Sequence, residues 1–169
     1  WQLASGHGAV APTDALADMD RFVDAGITTF DCADIYTGVE ALIGEWLKRR
    51  GRRDDLLIAT KVGMLPGEGG EKLEPARIAS AAEASLQRLG THIDLYYAHQ
   101  DDEKTPLADT LAAFDRLVKA GKVRAIGASN YSAARLNEAL DISEREGLAR
   151  YEVLQPEYNL MVRDNFEGD

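Results

Sequence analysis

The sequence predicts an α/β fold built on parallel strands. Three observations predict it: short apolar strands alternate with capped amphipathic helices, the unit recurs at a spacing of about thirty residues, and the strands read as continuous apolar runs. Two architectures share this signature, the open doubly wound sheet and the closed barrel. A doubly wound dinucleotide-binding sheet calls for a G-x-G-x-x-G turn after its first strand, and no such turn is present.

The first helix opens at Thr13, with Leu16, Met19, Phe22 and Val23 on its apolar face and Gly26 as its stop. Thr28 to Phe30 follow as a strand. Val39, Leu42, Ile43, Trp46 and Leu47 outline a second helix that ends near Gly51, and Leu56 to Thr60 form the next strand. Pro75 suits the first turn of a third helix, whose Ile78, Ala82, Leu86 and Leu89 recur at helical spacing until Gly90. IDLYYA is the strand after it. Thr105 and Pro106 open a fourth helix with Leu107, Leu111, Phe114 and Val118 inward and Gly121 as stop, and VRAIG follows as a strand. Ser132 caps a fifth helix running through Leu136 and Leu140 to Gly147, and YEVLQPE is the last strand. With a strand at the start of the chain, the count is about six strands and five helices, expected to form one domain over residues 1–169.

Composition excludes several functions. Hydrophobic residues make up 45% of the 169 and charged residues 28%, the balance of a soluble globular protein. The net charge of −10, spread along the chain, argues against a nucleic-acid partner. No apolar run approaches the ~18 residues that a membrane span requires. Cys32 is the single cysteine, which leaves no disulfide framework and no cysteine cluster for zinc, so a cytoplasmic location is the expectation. Oligomeric state is left open.

Each strand ends on a chemically capable residue. These are Asp31, Lys61, His99, Ser129 with Asn130, and Gln155, while Tyr36 follows Asp31 by five residues. In a barrel such positions line one rim, where active sites are assembled from several strands. Singly, each has a plain account: the acid caps a helix, the lysine snorkels or pairs, the histidine is a core residue, the tyrosine belongs to a loop. Their joint occurrence at one topological position favours a site. Asp34 and Glu40 are assigned to the start of the second helix. His7 and His92 have no evident partner, and Asp101, Asp102 and Glu103 read as a solvated acidic loop. Paired histidines for a hydrolytic metal site are missing, and no metal is expected.

Asp31, Tyr36, Lys61 and His99 suit proton transfer to a carbonyl oxygen. The lysine ammonium is expected to lower the phenol's pKa, Asp31 to hold the lysine as an ion pair, and His99 to hydrogen-bond the substrate oxygen. Cys32 should point away from Asp31 across the chain, and Ser129 lacks the surroundings of a G-x-S-x-G nucleophile. A Schiff base on Lys61, as in aldolases, stays open although it leaves Tyr36 and His99 under-used.

The segments AGITTFDCADIY, LLIATKVG, LGTHIDLYYAHQDD, AGKVRAIGASNYS and LQPEYNLM, in this order and spacing, resemble the aldo-keto reductase family. The resemblance implies a (β/α)8 TIM barrel that transfers a hydride from NADPH to an aldehyde or ketone, without a metal. It implies Tyr36 as proton donor, Lys61 and Asp31 tuning it, and His99 orienting the carbonyl. It further implies Ser129, Asn130 and Gln155 holding the nicotinamide carboxamide, with Trp1 lining the mouth. Against this pattern YTGVE departs from the glycine that many relatives have directly after the tyrosine. The chain is expected to be an incomplete barrel, inactive alone. A cofactor-binding regulatory subunit of the same fold is the alternative.

Overall fold

The computed structural model describes residues 12–64 and 72–168. In chain order the elements are α1 (Pro12–Asp24), β1 (Thr29–Asp31), α2 (Val39–Arg50), β2 (Leu57–Val62), α3 (Pro75–Leu89), β3 (Ile93–Ala98), α4 (Leu107–Lys119), β4 (Val123–Ser129), α5 (Ala133–Glu146), β5 (Tyr151–Gln155) and a short α6 (Asp164–Glu167). The strand expected at the start of the chain, with Trp1 and His7, lies outside the described residues. All described strands pair in parallel in the order β1-β2-β3-β4-β5, each with its sequence neighbour. This is the α/β arrangement of one side of a (β/α)8 barrel.

Local sequence sets the helix ends largely as expected. Pro75 occupies the first turn of α3, the Ser132 hydroxyl accepts from the Arg135 N–H, and Gly51, Gly90 and Gly147 end their helices in the left-handed conformation. Two details differ. Thr105 does not cap α4, because its hydroxyl donates to Asp102 Oδ2 at 2.7 Å. Phe22, expected inward, is 44% exposed, so α1 packs through Leu16 and Met19. Among the described residues no helix is long and apolar enough to cross a membrane.

The two faces of the sheet bury different things. Phe30, Ile58, Val62, Tyr96, Ala98, Ile126 and Ala128 join the helices in the main apolar cluster, whereas Ala59, Leu95 and Tyr97 form a small separate one on the opposite, concave face. Strand parity produces this division, since successive side chains point to opposite faces. A β-bulge corrects the parity of β5. Ile126 pairs with Tyr151 but Gly127 pairs with Val153, so Glu152 is an extra residue. Without it Tyr151 and Gln155 would share a face. With it Tyr151 is buried against Phe114 and Tyr131, and Gln155 registers with Ser129.

Beneath the sheet, Asp94 gathers three cationic or potentially cationic side chains. Its Oδ2 accepts from Arg53 Nη2 at 2.5 Å and the Ile58 N–H at 2.8 Å, and its Oδ1 meets Arg124 Nη1 at 3.0 Å and His92 Nε2 at 3.2 Å. His92 therefore has a partner the sequence did not reveal. Burial alone would raise the Asp94 carboxyl, but the Ile58 amide and Arg53 hold it below its ordinary value of 3.8. Its contribution to stability is complete above that value and lost as pH falls through the lower folded one.

Asp94→Ala should cost about 3 kcal/mol in denaturant unfolding at neutral pH. The difference from wild type should shrink as pH falls below 3.8. A Cβ on Gly127 would lie 2.6 Å from the Tyr97 ring, so Gly127→Ala should destabilise by about 1–3 kcal/mol in the same measurement.

Candidate active site

The site begins with a buried cation. Lys61 is the fifth residue of β2 and faces the concave side, in register with Tyr97. It is 2% exposed, and its Nζ donates to Asp31 Oδ2 at 2.5 Å and to the Cys32 carbonyl at 2.9 Å. Asp31 ends β1 with its side chain 40% exposed at the rim, so the pair runs from the interior to solvent. An ammonium buried at this depth requires such a partner. Two of its three donors are held by Asp31 and Cys32, which suits a fixed cation.

Tyr36 closes one side of this pair. Its loop turns through the bonds Tyr36 N–H to Ala33 O and Val39 N–H to Tyr36 O, each 3.0 Å. Lys61 Nζ then lies 5.5 Å from the phenol ring centroid, and His99 meets the same ring edge-on at 5.9 Å. The phenol's pKa is raised, by burial first and then by Asp31 and Cys32. This reverses the expected lowering by Lys61. The reason is that the lysine's charge is offset by its Asp31 partner, leaving desolvation to dominate.

His99 follows β3 and is 5% exposed. Burial, then the Lys61 charge, lowers its pKa from 6.5 to about 4, so the imidazole is neutral at neutral pH. Its Nδ1 is buried without a hydrogen-bond partner among the described residues.

Ser129 and Asn130 lie at the end of β4, beside Gln155 at the end of β5. The Ser129 hydroxyl donates to the Gln155 carbonyl at 2.8 Å, and Asn130 Nδ2 donates to the His99 carbonyl at 3.0 Å and to Ser129 Oγ at 3.1 Å. Asn130 does this from a left-handed backbone, φ 57°, which asparagine tolerates better than most residues. Asn130 thereby ties the ends of β3 and β4 together. The expected site residues among those described, Asp31, Tyr36, Lys61, His99, Ser129, Asn130 and Gln155, all fall on the strand-end side of the sheet.

Other assignments change. Cys32 does face away from Asp31 into the main core, where its thiol donates to the Ala59 carbonyl and burial pushes it up to about 12. Asp102 is not solvated but 5% exposed, accepting from the Leu73 N–H, the Lys104 N–H and Thr105. Asp101 pairs with Arg135. Glu40, assigned to the start of α2, is 1% exposed and bonds Thr60 Oγ1 and Arg88 Nε, each at 2.6 Å. Asp34 pairs with Arg77 Nη2 at 3.0 Å.

Sequence reading missed these arginines and Tyr97. Arg77 and Arg88 are about three turns apart on α3 and so share a face beside its apolar stripe, a signal available in the spacing. Tyr97 looked like one more apolar strand residue, yet its ring lies 5.9 Å from Lys61 Nζ, on the space left by Gly127. Among the described residues no cluster of three or more histidine, cysteine or acidic side chains is placed to hold a metal ion.

Comparison with known proteins adds independent observations. The chain is similar to aldo-keto reductase str7 of Strobilurus tenacellus, 41% identical over 147 residues that cover 86% of this chain and 41% of that protein. It is similar to aldo-keto reductase yakc, named with NADP(+), of Schizosaccharomyces pombe, 40% identical over 143 residues, 79% of this chain and 42% of that protein. A protein of S. pombe named as a voltage-gated potassium channel subunit beta is 36% identical over 155 residues, 86% of this chain and 44% of that protein. The chain spans less than half the length of these relatives. The profile of the aldo/keto reductase family matches residues 1–168, which take in every described strand, and the chain therefore belongs to the aldo/keto reductase family.

Proposed function

We propose that this chain carries the proton-donating part of an NADPH-dependent oxidoreductase that reduces an aldehyde or ketone to an alcohol. One observation carries the reading: the buried Lys61 ammonium, paired with Asp31, lies beside a phenol and a neutral imidazole, at the ends of parallel strands. Tyr36 would give its hydroxyl proton to the carbonyl oxygen as that oxygen gains negative charge. A raised pKa does not impede this. It keeps the phenol protonated at neutral pH, and the alkoxide it protonates is far more basic than a phenolate. Lys61, close to the ring, would stabilise the phenolate left behind. His99, neutral, would donate a hydrogen bond to the same oxygen and orient it.

The residues at the ends of β4 and β5 suit a nicotinamide amide. Asn130 Oδ1 and the Gln155 side-chain amide accept or donate no hydrogen bond among the described residues, while Ser129 and Asn130 Nδ2 are fixed by their backbone partners. A carboxamide would find one acceptor and one amide on a rigid support. When bound, the nicotinamide supplies the hydride; the chain's own residues supply orientation and the proton. The name of the S. pombe relative yakc supports NADP(H) as the cofactor form. A cytosolic setting accords with the single free thiol, Cys32.

A second reading is a cofactor-binding regulatory subunit with little turnover. The similarity to the protein named as a potassium channel β subunit favours it. Turnover with a panel of aldehydes separates the two, because a regulator binds NADPH without consuming it at a useful rate.

Measured in a chain that carries all eight strands, Tyr36→Phe should lower kcat/KM by roughly 10²–10⁴-fold with NADPH affinity nearly unchanged. Retention of full activity would remove Tyr36 from the role of donor. The His99 imidazole, followed by nitrogen-detected NMR, should remain neutral down to pH 5 and protonate only near 4. A titration midpoint near the ordinary 6.5 would contradict its role as a neutral hydrogen-bond donor.

A further inference from the structure

We propose that Asp34 and Arg77 are positioning residues for the Tyr36 phenol, their ion pair pinning the loop between β1 and α2 to helix α3. The inference rests on the reading of Tyr36 as proton donor and assigns a task to a pair that reading leaves unused. Asp34 stands two residues before Tyr36, and its N–H donates to the Lys61 carbonyl at 3.1 Å. Lys61 thus meets the loop twice, through this backbone bond and through its ammonium near the Tyr36 ring. On the far side of the loop Asp34 Oδ2 accepts from Arg77 at 3.0 Å, with the carboxylate side chain only 7% exposed. The other end of the loop enters α2, where Glu40 is held by Thr60 and Arg88. The segment bearing the phenol is therefore fastened to α3 by two carboxylate–guanidinium pairs.

The Asp34 pair is the less satisfied of the two. Asp34 Oδ1, Arg77 Nε and the Tyr96 hydroxyl are all buried without a hydrogen-bond partner among the described residues. Such orphans are uncommon in the interior of a protein and cost stability. The groups facing Asp34 are Arg77 and Arg88 from α3, Glu40 from α2 and Tyr96 from β3. Burial raises Asp34 from 3.8 to about 6, with Glu40 adding to the rise and the arginines opposing it. A carboxyl raised on folding contributes stability below its unfolded pKa, and that contribution is lost as pH rises through the folded value. At neutral pH the ionised Asp34 is therefore held at a cost to stability, in a position where it faces the arginine that anchors the loop. A group retained against stability beside a reacting residue is expected where it serves activity. Below pH 6 its protonation weakens the pair and frees the loop.

The test measures function, stability and geometry separately. In a chain that carries all eight strands, Asp34→Asn should lower kcat roughly tenfold, with NADPH affinity unchanged and no loss of thermal stability at pH 7. Arg77→Gln should match it, Arg77→Lys should retain part of the activity, and the double variant Asp34→Asn with Arg77→Gln should be no worse than either alone. Wild-type kcat should fall on the acid side with a midpoint near 6, and that limb should be missing in Asp34→Asn. Independently of turnover, protein labelled with fluorotyrosine should show a Tyr36 fluorine resonance, assigned by Tyr36→Phe, that shifts with a midpoint near 6 in the wild type and not in Asp34→Asn. A wild-type Tyr36 resonance insensitive to pH in this range overturns the proposal, even if every variant fails to fold. So does an Asp34→Asn kcat within twofold of wild type where Tyr36→Phe is inactive. If Tyr36→Phe keeps full activity while the wild-type Tyr36 resonance titrates, the donor reading fails and the loop anchor stands.

Discussion

The structure turns on one buried charge. An ammonium placed 2% exposed on a sheet strand is tolerable only with an anion and further acceptors in reach, and Lys61 has both in Asp31 and the Cys32 carbonyl. That requirement constrains the register of β1 on β2, because Asp31 pairs with Ala59 and so stands diagonally before Lys61 on the same face. The small side chains of Ala59 and Ala125 and the bare backbone of Gly127 then leave room on that face for Tyr97, whose ring flanks the lysine. The concave side of the sheet is thus packed around a cation.

The convex side repeats the logic one residue earlier in β2. Thr60 points outward and donates to the buried Glu40, which also receives Arg88, so consecutive residues of one strand are held by carboxylates on opposite faces. Between these two anchors runs the loop with Tyr36. Its phenol is consequently placed by groups on both sides of the sheet, and its acidity is governed by burial more than by the neighbouring lysine. The same low-polarity setting keeps His99 neutral and the Cys32 thiol protonated. One loop and one strand end therefore present a phenol and an imidazole that are both uncharged in the neutral range.

Much of this was legible in the residues. Alternation of apolar strands with capped helices identified the parallel α/β arrangement, and reading each strand to its end found Asp31, Lys61, His99, Ser129, Asn130 and Gln155. Strand and helix signals are local: an apolar run, a capping serine at Ser132 or a left-handed glycine at Gly90 acts within a few residues of itself. The assignments of charged residues to nearby helix ends or to solvent were incomplete: Glu40 does stand in the first turn of α2, yet local position disclosed none of the long-range partners. Asp34, Glu40, Asp101 and Asp102 all found partners in other elements or deep within their own loop.

The sequence by itself determined which residues reach the strand ends and what chemistry they offer, because strand parity and turn chemistry are properties of neighbouring residues. Only the tertiary structure decided the pairings of Asp34 with Arg77 and of Glu40 with Arg88, which join residues more than forty positions apart. It alone decided the face on which Gln155 lies, through the bulge at Glu152 that simple alternation does not foresee. It decided the direction of the Tyr36 shift as well, since that depends on how much water the fold removes from the phenol and on where Asp31 sits relative to Lys61. Burial and long-range pairing are collective outcomes of packing, and no local pattern of residues encodes them.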